Sequence, residues 1–197
     1  MSIFLPRFRR FSPKSEKISG VGWLQIVVLG AAGVASMRAA FERGDLDEAA
    51  RQGALAGPAV VERALRAADR TTQLAAIAAA PSVEDRAELL EPLARVADGP
   101  DRRVAIPAAA AALTIARELS RALARHGLPD DLAPDDIATW RARWAALALR
   151  GDRWIELRLL ALDTAAALDP AGLGIDLAAG RADPDPAFRR AVETLAP

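Results

Sequence analysis

The chain has 197 residues, 26 basic and 26 acidic side chains, no cysteine and a single histidine, His126. That length suits one domain of moderate size, or a domain with a short appendage. Zero net charge argues against a nucleic-acid binder held by a broad basic surface. The missing cysteines exclude disulfides and thiolate metal sites, and one histidine leaves no multi-histidine metal site.

Alanine, leucine and arginine dominate, tyrosine and asparagine are absent, and strand-favouring residues are sparse. Strong helix formers in this proportion predict an all-α chain. Residues 1–20 stand apart: they hold both lysines, Lys14 and Lys17, with Arg7, Arg9, Arg10 and three of the five phenylalanines. They read as a basic N-terminal tail.

Residues 21–37 carry no charge, and a spanning helix needs about 20 apolar residues with about 17 as a lower limit. Three readings are open. The run is a signal anchor or an export signal, with Val34-Ala35-Ser36 as a cleavage site. It is the buried first helix of the domain that follows. Or Met37 is the true start. On the first reading the preceding basic residues keep the N-terminus in the cytoplasm, and residues 1–37 contact an inner-membrane surface. A membrane-anchored or periplasmic protein is then expected, with a cytoplasmic one as the alternative.

From residue 38 onward the punctuation is regular. Including the apolar run, helices are expected over 22–42, 45–55, 58–67, 70–80, 83–97, 102–125, 135–149, 153–168, 171–180 and 186–195. Asp45 with Glu48 is a capping pair, and Ser82 with Asp85 repeats that logic. Pro134, Asp135 and Asp136 suit a first helical turn. Gly44, Gly57, Gly99, Gly127 and Gly151 fall where helices end. The connections are short, so neighbouring helices should pack antiparallel.

Four stretches resemble one another: ADRTTQLAAIAAAP (68–81), DGPDRRVAIPAAAAAL (98–113), GDRWIELRLLALDTAAAL (151–168) and ADPDPAFRRAVETLAP (182–197). Each has an acidic turn, then a large apolar residue: Leu74, Val104, Leu157 and Phe188. From Leu74 to Leu157 is 157 − 74 = 83 positions, and from Val104 to Phe188 is 188 − 104 = 84. Recurrence of this kind marks stacked helical units. The pattern resembles the HEAT-like repeats of armadillo-type proteins over residues 58–197. The resemblance implies an α-solenoid of antiparallel helical hairpins over a domain spanning 38–197. Asp152 with Leu157-Arg158 and Asp183 with Phe188-Arg189 carry the full signature. The first unit has Ala75 where the arginine belongs, and the second has Val104-Ala105 and one extra residue. The resemblance further implies that the pairs Asp152–Arg158 and Asp183–Arg189 contribute to a polar ladder between units.

Chemistry-bearing residues are few. His126 ends a helix, where it complements the dipole, and no partner for base catalysis is in view. Asp130, Asp131, Asp135 and Asp136 could meet a hard cation, yet their spacing matches no calcium loop, and helix capping explains them better. No phosphate loop, nucleophile elbow or zinc-protease motif is present, so no cofactor is implied. Trp140 and Trp144 share a face of one helix, beside Arg141, with Trp154 opening the next. Core packing is the plain reading of the pair. The sharper one is a protein-binding hot spot at Trp140, Arg141, Trp144 and Trp154. A non-catalytic scaffold for a protein partner is therefore expected, with nucleic acid disfavoured as the ligand. The alternative is an enzyme like the HEAT-like base-excision glycosylases or bilin lyases, with Asp135 or Asp136 in an aromatic groove beside Trp140.

Overall fold

The computed structural model describes residues 20–129, 132–169 and 178–195, with side chains from Gly30 onward. Among these residues the fold is all-α, with no strand. The helices are α1 (Gly20–Glu42), α2 (Leu46–Ala56), α3 (Pro58–Leu65), α4 (Arg70–Ala79), α5 (Leu90–Ala97), α6 (Arg102–His126), α7 (Pro134–Ala148), α8 (Ile155–Ala167), α9 (Ala178–Arg181) and α10 (Pro186–Leu195).

Acidic side chains start several of them. Asp45 accepts the Glu48 N–H at 2.9 Å, Asp69 the Thr72 N–H at 2.9 Å, and Asp101 the Arg103 N–H at 3.0 Å. Each satisfies an amide that the first turn leaves without an intrahelical partner. Gly127 closes α6 at φ 77°, a left-handed conformation that glycine adopts without steric cost, and its N–H bonds the Leu123 carbonyl.

Contacts follow chain order. α3 packs with α4, α5 with α6, α7 with α8, and α9 with α10. One series of neighbours runs α1, α4, α6, α8, α10, and a second runs α3, α5, α7. Small residues allow the approach at the centre: Ala105, Ala108, Ala109, Ala112 and Ala116 of α6 are fully buried. Larger side chains fill the remaining space, among them Trp144, Leu157, Leu162 and Phe188. At Gly53 of α2 an added Cβ would lie 2.4 Å from the Ala79 Cβ, so only glycine fits there.

The apolar run of 21–37 lies within α1. From Gly30 onward one face of that helix is docked: Met37 and Ala40 are buried, and an added Cβ at Gly33 would come within 3.0 Å of the Ala56 Cβ. Ala31, Ala32, Ala35 and Ser36 are exposed on the other face. Among the described residues no helix is long and apolar enough to cross a membrane.

One helix expectation needs correction. The helix expected over 83–97 is broken. Val83 is extended and fully buried, Asp85 takes a left-handed φ of 54°, residues 86–89 form a 3-10 turn, and α5 begins only at Leu90. Burying Val83 in an extended conformation overrides the local Ser82–Asp85 cap signal, and aspartate is among the residues that tolerate φ > 0 best. The helix expected over 102–125 is found as α6, capped by Asp101 and starting at Arg102, so Pro107 falls in its second turn; Asp98 ends α5. Residues 171–177 of the helix expected over 171–180 lie outside the described residues, as do Asp130 and Asp131.

The repeat register also shifts. The third residues of α4, α6, α8 and α10 are Thr72, Val104, Leu157 and Phe188, all buried. Leu74 is only half-buried. Asp69 sets the start of α4 by accepting both the N–H and, at 2.6 Å, the hydroxyl of Thr72. Thr72 therefore occupies the place expected for Leu74.

Candidate functional site

Pro134 opens α7, and the Asp136 carboxylate reaches back to the Ala133 N–H at 3.2 Å. Two tryptophans follow on this helix, one turn apart. Trp144 is fully buried in the core, and its indole N–H finds no acceptor among the described residues. Trp140, one turn earlier, is half-buried and lines a cleft of about 400 Å³. Leu119 of α6 and Leu132 give that cleft its apolar walls, and Asp85, Glu88 and Asp136 supply three carboxylates. None of the three forms an ion pair among the described residues, and no basic side chain lines the cleft.

Arg141 turns elsewhere, to within 3.4 Å of the buried Asp169 carboxylate. Trp154 is the half-buried residue that precedes α8 and packs against the core. Of the four aromatic and arginine candidates, Trp140 is the one that lines this cleft. Asp136 joins it there, whereas Asp135 is an exposed first-turn residue outside the cleft lining. His126 is the exposed last residue of α6. Among the described residues no three histidine, aspartate or glutamate side chains converge as a metal-holding group.

The polar pairs join different partners from those implied by the resemblance. Arg158 reaches forward to Asp183, both Nη atoms facing the two carboxylate oxygens, and donates from Nε to the Ala148 carbonyl at 2.9 Å. Its guanidinium also lies 4.0 Å above the Phe188 ring. The two charged side chains are 4% and 8% exposed. Arg158, and after it the Asp185 N–H, holds the Asp183 carboxyl below its ordinary range. Arg189 donates to the backbone carbonyls of Asp183 and Pro184. Asp152 pairs with its neighbour Arg150 at the surface, and that arginine lowers its carboxyl. A two-residue separation in the 150–153 turn explains this choice over Arg158, whose side chain is committed to the core.

A second set of cross-unit pairs escaped the sequence reading. Arg38 of α1 meets Asp69 at 3.3 Å, Arg70 meets Asp101 at 2.8 Å, and Arg102 meets Glu156 at 2.6 Å. Arg150 and Arg153 converge on Asp98 at 2.6 and 2.8 Å. The available signal was the Asp-Arg dipeptide, which stands at 69–70 and again at 101–102 at the starts of α4 and α6. The cleft residues Asp85, Glu88 and Leu119 were missed too, because they reach Trp140 only through the fold.

No family model matches the chain, and no curated protein or solved structure matches it.

Proposed function

We propose that this chain is a non-catalytic helical-repeat scaffold of the HEAT-like, armadillo-type α-solenoid kind, and that its Trp140 cleft holds a segment of a protein partner. The observation that carries the reading is the cleft itself. A half-buried tryptophan borders about 400 Å³ of open volume beside three carboxylates without ionic partners. Aromatic anchors in such settings supply much of the energy of protein interfaces. The two contact series and the Arg38–Asp69, Arg70–Asp101 and Arg158–Asp183 pairs support a stack of antiparallel hairpins joined unit to unit.

One observation favours the enzymatic alternative: Asp136 shares the cleft with Trp140, as a carboxylate in an aromatic groove would. The charge of the lining argues against it for a nucleic-acid substrate. Three carboxylates and no cation would repel a phosphate backbone rather than neutralise it. Attachment to or export across an inner membrane through residues 1–37 is a separate question. It would have to remove the docked face of α1 from the domain. Fractionation of a C-terminally tagged chain with protease protection decides it.

The binding reading is tested by quantitative affinity capture with the full chain, Trp140→Ala, and Leu55→Ala as a control at an 81% exposed leucine on α2. We expect a stoichiometric partner that Trp140→Ala loses by about tenfold or more and Leu55→Ala retains. Equal recovery by a folded Trp140→Ala protein would remove the cleft from the interface.

A further inference from the structure

The cleft does not end at Asp85. Through Asp85, Ala87 and Leu119 it adjoins a shallower stretch of about 240 Å³ above Ile115. Through Arg86, Glu118 and Ala122 that stretch adjoins a third one of about 350 Å³, bordered by Arg121, Arg125 and His126. The depression therefore follows the second half of α6 along one side, with the 84–88 segment forming its other edge.

Charge along it is sorted. Asp85, Glu88 and Asp136 stand at the Trp140 end, and Arg121, Arg125 and His126 at the other. In the middle, which Glu84 also lines, Arg86 and Glu118 cancel, with Nε and Oε2 2.9 Å apart; this is a charge contact, since its angles are not those of a hydrogen bond. Neither Arg121 nor Arg125 forms an ion pair among the described residues. Like charges four apart on a helix repel. The helix dipole at the end of α6 offsets this for Arg125 and His126, whereas Arg121 lies before the last turn. At the Trp140 end Asp85 and Glu88 form no ion pair among the described residues, and Asp136 is engaged only by the Ala133 N–H.

Resting on the scaffold reading above, we infer that this groove takes an extended segment of a partner protein with opposite polarity, its cationic side chain over Trp140 and its acidic side chain against Arg121 and Arg125. A cation there gains the face or edge of an indole and three carboxylates, in a partly desolvated setting. A polyanion would meet repulsion at the Trp140 end, and a polycation at the other. The span from Glu118 to His126 is about 12 Å at 1.5 Å per helical residue. An extended segment covers it with about four residues, and the Trp140 cleft lengthens the footprint.

The test uses an acetylated, amidated ten-residue peptide with two arginines at one end, two glutamates at the other, and leucine and alanine between. A second peptide of the same composition alternates its charges. Titration into the full chain is followed by calorimetry and by the Trp140 indole N–H resonance. The sorted peptide should bind at least about fivefold more tightly than the alternating one. The acidic end is changed by Asp85→Lys, Glu88→Lys and Asp136→Asn, the last keeping an oxygen acceptor for the Ala133 N–H. The basic end is changed by Arg121→Glu and Arg125→Glu. Each set alone should weaken the sorted peptide by about tenfold or more. Both sets together should restore binding to within about threefold, because the peptide turns end for end. Should the lysine at the left-handed position 85 unfold the chain, Glu88→Lys with Asp136→Asn carries the same comparison.

Half-changed proteins that bind like the parent, or a fully reversed protein no better than its halves, would overturn the inference. So would tighter binding of a single-stranded oligonucleotide or of phosphatidylserine vesicles that depends on Arg121 and Arg125 alone. If Trp140→Ala still loses the captured partner while the sorted peptide fails, polarity falls and the scaffold reading stands. If Trp140→Ala changes neither, both fall.

Discussion

Trp144 and Trp140 stand one turn apart on α7, nearly on one face, yet the first is sealed in the core and the second edges an acidic cleft. α7 packs against α5 and α8, and Trp144 belongs to the buried core. Around Trp140 its neighbours are Leu119, far along α6, and the broken segment at 85–88. The edge of the core thus crosses α7 along its length rather than around its circumference. Helical periodicity sees only the circumference, so it assigns both indoles one environment. The difference separates two kinds of energy: substitutions at Trp144 should act on stability, and those at Trp140 on binding.

The largest effect tests that separation directly. Trp144→Ala should cost about 3–5 kcal/mol, since it empties a fully buried site that its neighbours can only partly refill. Trp144→Phe should cost much less, under about 2 kcal/mol, because it keeps most of the volume and removes an indole N–H that finds no acceptor. Trp140→Ala should lower stability by about 1 kcal/mol or less while it abolishes capture. Chemical denaturation of the three proteins, beside the parent, gives the ranking. Equal losses at 140 and 144 would erase the distinction.

The junction between α8 and α10 extends the contrast to charges. Asp183→Ala leaves the Arg158 guanidinium buried beside Phe188 without its carboxylate, which should cost about 3 kcal/mol. The pH dependence follows from the direction of the shift. The Asp183 carboxyl is depressed in the folded protein, so the unfolded chain binds protons first as the pH falls. Its stabilisation is complete above the ordinary carboxylate value near about 4 and is lost as the pH drops through the lower folded value. Asp69, held down chiefly by the Thr72 hydroxyl, adds in the same sense. Denaturant midpoints from pH 7 to pH 2.5 should therefore fall for the parent and flatten for Asp183→Asn. An unchanged slope would assign the acid sensitivity to other carboxylates.

The sequence was legible wherever a signal is local. Asp45 caps α2, Pro134 opens α7, and Ala105, Ala108, Ala109, Ala112 and Ala116 line the face along which α6 meets its neighbours. It misled where tertiary packing outbids a local signal, as at Ser82–Asp85, where burial of Val83 cancels a helical turn. It was silent where partners are remote. Arg158 finds Asp183, 25 positions on, rather than Asp152, six positions back, and Trp140 shares its cleft with Leu119 of α6. Of the candidate site, Trp140 and Asp136 were readable; Asp85 and Glu88 reach the cleft only through the break before α5, and Arg121 and Arg125, four apart on α6, come beside Arg86 only through the fold.

The smallest effect belongs to the exposed pairs at the helix starts. Arg70 and Asp101 join α4 to α6 at 2.8 Å with the same chemistry as Arg158 and Asp183, yet their side chains are 54% and 36% exposed. Water already solvates both charges well, so little is gained on pairing them and little is stranded on separating them. Arg70→Ala should cost about 0.2–1 kcal/mol, with much of the loss gone in 1 M salt, where the screening length is about 3 Å. Asp101→Ala should cost more than Arg70→Ala, because it also uncaps α6 at the Arg103 N–H, and that part should survive the salt. A double-mutant cycle over the two positions isolates the pair from the cap. A coupling as large at Arg70–Asp101 as at Arg158–Asp183 would mean that burial does not set the strength of the junctions.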